Sequence, residues 1–144
     1  MPDRIATTRW TGALTTGSGI TNLASSGAGQ FTFSLPTRAG EPNGQTSPEE
    51  LVAAAHSACY SMQLSALLTA AGTPPERIDT QATVSQNQRG EAYLITGIRL
   101  IVRAAVPGAD AAAFRRAAEK AKDVCPVSVA LSGTEITLDA ELEQ

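Results

Sequence analysis

One stretch constrains this chain more than any other. From Leu51 to Ala71 the sequence is dense in Ala, Leu and Met, with no proline or glycine inside it. It follows Ser47-Pro48-Glu49-Glu50, which places Ser at the N-cap, Pro at the first helical position and Glu three residues after the cap. It stops at Gly72-Thr73-Pro74-Pro75. The pattern predicts a helix of about six turns. It is apolar on nearly every side, so it is expected to lie buried in the middle of the structure.

The flanking regions read as strands and a second helix. Segments 4–14, 18–24 and 29–35 are short candidate strands punctuated by Gly17, Gly19, Gly27 and Gly29. A polar loop rich in Gly and Pro is expected from Pro36 to Ser47. Residues 76–88 and 91–106 read as a long antiparallel hairpin turning near Gln88-Arg89-Gly90. Asp110 to Asp123 reads as an amphipathic helix broken at Val124-Cys125-Pro126. A short helical turn follows, then a last strand over 133–142 with alternating Ile136, Leu138, Ala140 and Leu142. Strands in blocks with separate helices point to an α+β fold. With 144 residues, no repeat and no long linker, residues 1–144 are expected to form one domain.

Composition excludes several classes. Hydrophobic residues at 42% and charged residues at 17% describe a globular chain. The net charge of −3 and scattered basic residues argue against nucleic acid as a partner. No stretch is read as approaching the roughly 20 apolar residues of a membrane span, so no membrane partner is expected. Met1-Pro2-Asp3-Arg4 lacks a signal-peptide core, so a cytoplasmic location is the default.

The chemistry rests on two cysteines, Cys59 and Cys125. In a reducing compartment such a pair is more often catalytic or inert than a structural staple. Cys59 lies deep in the apolar helix, where most free cysteines are small buried hydrophobes. A reactive thiol needs a lowered pKa, hence a cation or a helix N-terminus nearby. Its helical neighbours Ala55, His56, Met62 and Gln63 supply no fixed cation. His56, the single histidine, raises the idea of a Cys–His hydrolase. No local motif supplies an orienting partner or oxyanion hole, so a histidine packed on a helix is the better reading. Cys125 precedes Pro126 and so stands at the cap of a new helical turn, where a thiolate is stabilised. The plain alternative is that Pro126 only stops the preceding helix. Two cysteines and one histidine do not make a structural zinc site, and neither a phosphate-binding glycine loop nor a dinucleotide fingerprint is present.

Ser47-Pro48-Glu49-Glu50-Leu51-Val52-Ala53-Ala54-Ala55-His56-Ser57-Ala58-Cys59-Tyr60-Ser61-Met62 resembles the first cysteine motif of the OsmC/Ohr family, and Val124-Cys125-Pro126-Val127-Ser128 resembles its second. Leu35-Pro36-Thr37-Arg38-Ala39-Gly40 and Glu135-Ile136-Thr137-Leu138-Asp139 resemble the OsmC branch. The organic hydroperoxide branch carries an arginine in an earlier glycine-rich turn, and Thr16-Gly17-Ser18-Gly19 has none. The resemblance implies an OsmC-like fold: an antiparallel six-stranded sheet in each subunit, a long buried central helix and an intertwined homodimer. It implies Cys59 as peroxidatic cysteine, Cys125 as resolving cysteine, Arg38 as the cation at the site and Glu49 as its acidic partner. It also implies an organic hydroperoxide substrate, an external thiol reductant and no metal or cofactor. Two other readings remain: a non-enzymatic dimer that binds apolar ligands, and a regulator that passes its disulfide to a partner protein.

Overall fold

The structure is a computed structural model that describes residues 2–143. They fall into two compact units that part between Leu51 and Val52, described separately below.

The first unit holds an antiparallel three-stranded sheet in the order β1-β2-β3, with β1 Thr7–Thr11, β2 Ser18–Asn22 and β3 Gln30–Phe33. Thr8 faces Thr21 and Trp10 faces Gly19, which in turn faces Phe33. A Cβ at Gly19 would run into the Phe33 ring, so glycine there lets Phe33 fold across β2 toward Trp10. The two rings sit 5.8 Å apart between centroids, tilted by 36°. The segment expected to be wholly loop contains a short helix, α1 Leu35–Ala39. It is held by a capping box in which the Ser34 hydroxyl accepts from the Thr37 N–H and the Thr37 hydroxyl accepts from the Ser34 N–H.

The long helix α2 runs Pro48–Ala70. The Ser47 hydroxyl accepts the Glu50 N–H at 3.1 Å, as the N-cap reading requires. The carboxylate of Glu50 turns to the Thr46 hydroxyl at 2.7 Å.

In the second unit β4 Arg77–Arg89 and β5 Ala92–Ala105 form the expected antiparallel hairpin, with a bulge beside Ser85 and Gln86. After α3 Ala111–Val124 and α4 Pro126–Ala130, β6 Glu135–Glu143 completes a three-stranded sheet in the order β4-β5-β6. This corrects two expectations. The subunit has two three-stranded sheets instead of a single six-stranded one, and β6 runs parallel to β5. The reason lies in the connection: the chain leaves β5, crosses through two helices and re-enters beside β5 in the same direction, as helical crossovers do.

α2 supplies Tyr60, Leu64 and Leu68 to a core shared with Leu100, Val102 and Ala104 of β5 and with Phe114, Ala118 and Ala121 of α3. The Tyr60 hydroxyl donates to the Ala118 carbonyl at 3.0 Å and so ties α2 to α3. Only the row His56, Tyr60, Leu64 and Leu68 is fully buried, a stripe at i+4 spacing. The opposite side is open: Met62 is 73% exposed. The expectation of a helix buried on every side therefore does not hold within one chain, because the sheet and α3 cover one stripe only. The membrane reading also needs correction. α2, with 23 residues and a mean hydropathy of 1.2 over its most apolar window, is long and apolar enough to cross a bilayer by length and composition. Its packed row against β5 and α3 is the arrangement of a core helix.

Candidate active site

The four residues singled out in the sequence occur as two pairs. In the first unit, the last turn of α1 carries Arg38, which faces Glu49 in the first turn of α2. The guanidinium donates through Nη2 to Glu49 Oε1 at 2.6 Å and through Nε to Oε2 at 3.1 Å, a two-point fork. Hydrogen bonding from Arg38 holds the Glu49 carboxyl below its ordinary range despite burial, and the Glu49 bond raises the arginine in turn. The Glu49 side chain is 14% exposed and that of Arg38 36%. The arginine thus keeps a free edge while its position is set from behind. Beside it lies a hollow of about 330 Å³ lined by Trp10, Leu14, Phe33, Leu35 and Pro48. It is an apolar site with one cation at its rim.

In the second unit, Cys59 and Cys125 meet with their sulfurs 3.2 Å apart. A disulfide bond would be about 2.05 Å. The two are therefore free thiols in contact, and a small closing movement would join them. Cys125 is fully buried and Cys59 partly exposed. The two are not electrostatically equal. Burial pushes the Cys59 thiol up, the Val127 N–H pulls it down, and Cys125 raises it further. Burial pushes Cys125 up as well, but the Ser128 N–H, the Cys59 thiol, the Ser128 hydroxyl and the Val127 N–H together bring it below its ordinary value. The Val127 and Ser128 groups act on the sulfur from the first turn of α4, without a close capping bond from the Cys125 side chain.

The sequence reading did not foresee what His56 does. It is fully buried, and its Nε2 lies 2.8 Å from the Ser128 hydroxyl. The two residues are 72 positions apart, so no local pattern links them. The one available signal was Ser128 itself, three residues beyond Cys125. Among the described residues no cluster of three or more His, Cys, Asp or Glu could hold a metal ion.

An α+β chain with a cysteine midway along its long helix, touching a second cysteine at the start of a short one, defines a class of two-thiol protein. Comparison with known proteins gives the family. Residues 40–141 match the family model for OsmC-like protein, and the chain belongs to that family. It is 43% identical over 134 residues to peroxiredoxin OsmC of Escherichia coli (strain K12), covering 93% of this chain and 92% of that one. It is 35% identical over 111 residues to an organic hydroperoxide resistance protein of Xanthomonas axonopodis pv. citri, covering 74% and 75%. A crystal structure of an organic hydroperoxide resistance protein from Elizabethkingia anophelis superposes with a TM-score of 0.77 at 26% identity, covering 99% and 98%. The relatives' names support a role in peroxide defence.

Proposed function

We propose that this protein is a thiol-dependent peroxidase that reduces organic hydroperoxides to alcohols. The observation that carries the reading is the pair of reduced sulfurs in contact, one buried and one partly exposed. The Cys59 thiolate attacks the outer peroxide oxygen, the O–O bond breaks, an alcohol leaves and Cys59 becomes a sulfenic acid. Cys125 condenses with it, releasing water and forming a disulfide. An external thiol then restores both cysteines. The apolar hollow beside Arg38 suits an alkyl substituent better than it suits hydrogen peroxide.

Arg38 is the cation this chemistry needs, because burial raises Cys59 and, among the described residues of its own unit, no cation lowers it. Glu49 and Cys59 stand ten positions apart on α2, about 15 Å along the axis and some 80° around it. The functional unit is accordingly a homodimer, in which the Arg38–Glu49 pair of one copy serves Cys59 of the other. The open side of α2, with Met62 and its alanines, is the face such a partner covers. The setting is the cytoplasm, where thiol donors keep the pair reduced, and the role is defence under oxidative or osmotic stress.

Turnover of an alkyl hydroperoxide by purified protein with several thiol donors tests the reading. Cys59→Ser is expected to abolish turnover, and Cys125→Ser to consume about one equivalent and then stall. Turnover supported by Cys125 alone would reverse the two roles. Binding of apolar ligands without peroxide consumption, or transfer of the disulfide to a protein only, would replace the reading with one of its rivals.

A further inference from the structure

Among the described residues of the second unit the buried polar side chains are His56 at 0% and Ser128 at 5% exposure, set in an otherwise apolar core. They bond to each other at 2.8 Å, and His56 Nδ1 has no partner. A buried N–H without an acceptor is rarer and costlier than a buried lone pair without a donor. The proton therefore sits on Nε2, which donates to the Ser128 oxygen. Burial also holds the imidazole neutral by lowering its pKa. With its oxygen occupied by that donor, the Ser128 hydroxyl keeps its own hydrogen for another acceptor. Ser128 stands three residues after Cys125, the spacing that brings a side chain of the first helical turn back toward the cap. The Ser128 hydroxyl acts there on the Cys125 sulfur, favouring its charged form, and Cys59 lies 3.2 Å from that sulfur. The groups follow one another in the order His56, Ser128, Cys125, Cys59.

We propose that His56 and Ser128 are positioning residues for the second thiol of the reaction: His56 aims the Ser128 hydroxyl at Cys125, which stabilises that sulfur as an attacking and a departing thiolate. This rests on the reading of Cys59 as peroxidatic and Cys125 as resolving. In the first passage Cys125 gives up its proton, and its sulfur electron pair forms the S–S bond to Cys59. The sulfenic S–O bond breaks, and the departing hydroxide takes up a proton and leaves as water. In the second passage an external thiolate attacks Cys59, the S–S bond breaks, and its electron pair returns to Cys125. A second donor thiol then releases Cys59 and leaves as the donor disulfide. The Ser128 and Val127 N–H groups and the Cys59 thiol also favour the Cys125 thiolate, but none of them bonds to His56. α2 presents Cys59 and Tyr60, and the Tyr60 hydroxyl is committed to the Ala118 carbonyl. α3 carries Glu119, whose charge acts on Tyr60 and whose carboxylate pairs with Lys122 at 2.7 Å. β5 and β6 turn Leu100, Val102, Leu138 and Ala140 to this core.

Three variants test the proposal: Ser128→Ala, His56→Leu and His56→Gln, the last keeping a donor near the Nε2 position. The Cys125 thiolate is titrated by ultraviolet absorbance in a Cys59→Ser background. Sulfenic acid and disulfide formation are timed separately after one equivalent of tert-butyl hydroperoxide. Ser128→Ala should move the Cys125 titration upward and slow disulfide formation about tenfold or more, the weight of one hydrogen bond to a charged group. The peroxide step should stay within about twofold. His56→Leu should behave like Ser128→Ala, and His56→Gln should recover most of the loss. An unchanged Cys125 titration in Ser128→Ala, or a His56→Gln no better than His56→Leu, would overturn it. Should the wild type form no sulfenic acid, the peroxidase reading fails, while the Cys125 titration still decides the relay.

Discussion

The two cysteines differ in what surrounds them more than in what they are. Cys59 sits on an apolar helix and is raised by burial, whereas Cys125 meets N–H and O–H donors and is lowered. A thiol that is easily ionised makes a good leaving group, which suits a resolving cysteine. Within its own unit Cys59 is the harder of the two to ionise, and the proposed reading assigns the compensating cation to Arg38. His56 gives a separate prediction at this scale. Its pKa is depressed in the folded protein, so the unfolded chain takes up the proton first as pH falls. The stability it contributes is complete above the unfolded value of about 6.5 and is lost as pH falls below it. Denaturant midpoints between pH 7.5 and 5.5 should therefore decline, and less so in His56→Gln. As His56 is the single histidine, equal slopes in both proteins would remove it from the linkage.

Among the elements, α2 was legible because its two ends carry strong signals, Ser47-Pro48 and Gly72-Thr73-Pro74. The hairpin was legible from its length and from Gly90, which adopts a positive φ of 62° at the turn. α1 was read as loop because five residues are too few to show a period. Its real signal was the Ser34–Thr37 capping pair. The direction of β6 was not legible at all. Alternation of Ile136, Leu138, Ala140 and Leu142 shows which face is buried and carries no information about parallel or antiparallel pairing. The capping of α1 has a functional consequence, since it fixes the backbone from which Arg38 reaches Glu49. Arg38→Ala should raise the Cys59 titration and slow the peroxide step far more than disulfide reduction. If both are unchanged, Arg38 leaves the account, and Arg9 and Arg103 become the cations to test.

For the whole molecule, the proposed reading has the Arg38–Glu49 pair of one copy serve Cys59 of another. Inactive Cys59→Ser protein and inactive Glu49→Ala protein, unfolded and refolded together, should regain activity, because each mixed dimer holds one complete site. Confirmed mixed dimers without activity would place Glu49 in its own subunit's chemistry or outside the reaction. The site was legible only through long motifs. Spacing alone left Cys59 a plausible buried hydrophobe, and the contact with Cys125 joins residues 66 positions apart.

The most direct measurement of the central claim is the fate of the two sulfurs in one turnover. Reduced protein is treated with one equivalent of an alkyl hydroperoxide, and its free thiols and peptide masses are read. The account predicts loss of both thiols, one equivalent of alcohol and a Cys59–Cys125 disulfide within a single chain. Peroxide left unconsumed, or disulfides formed only between chains, would contradict it.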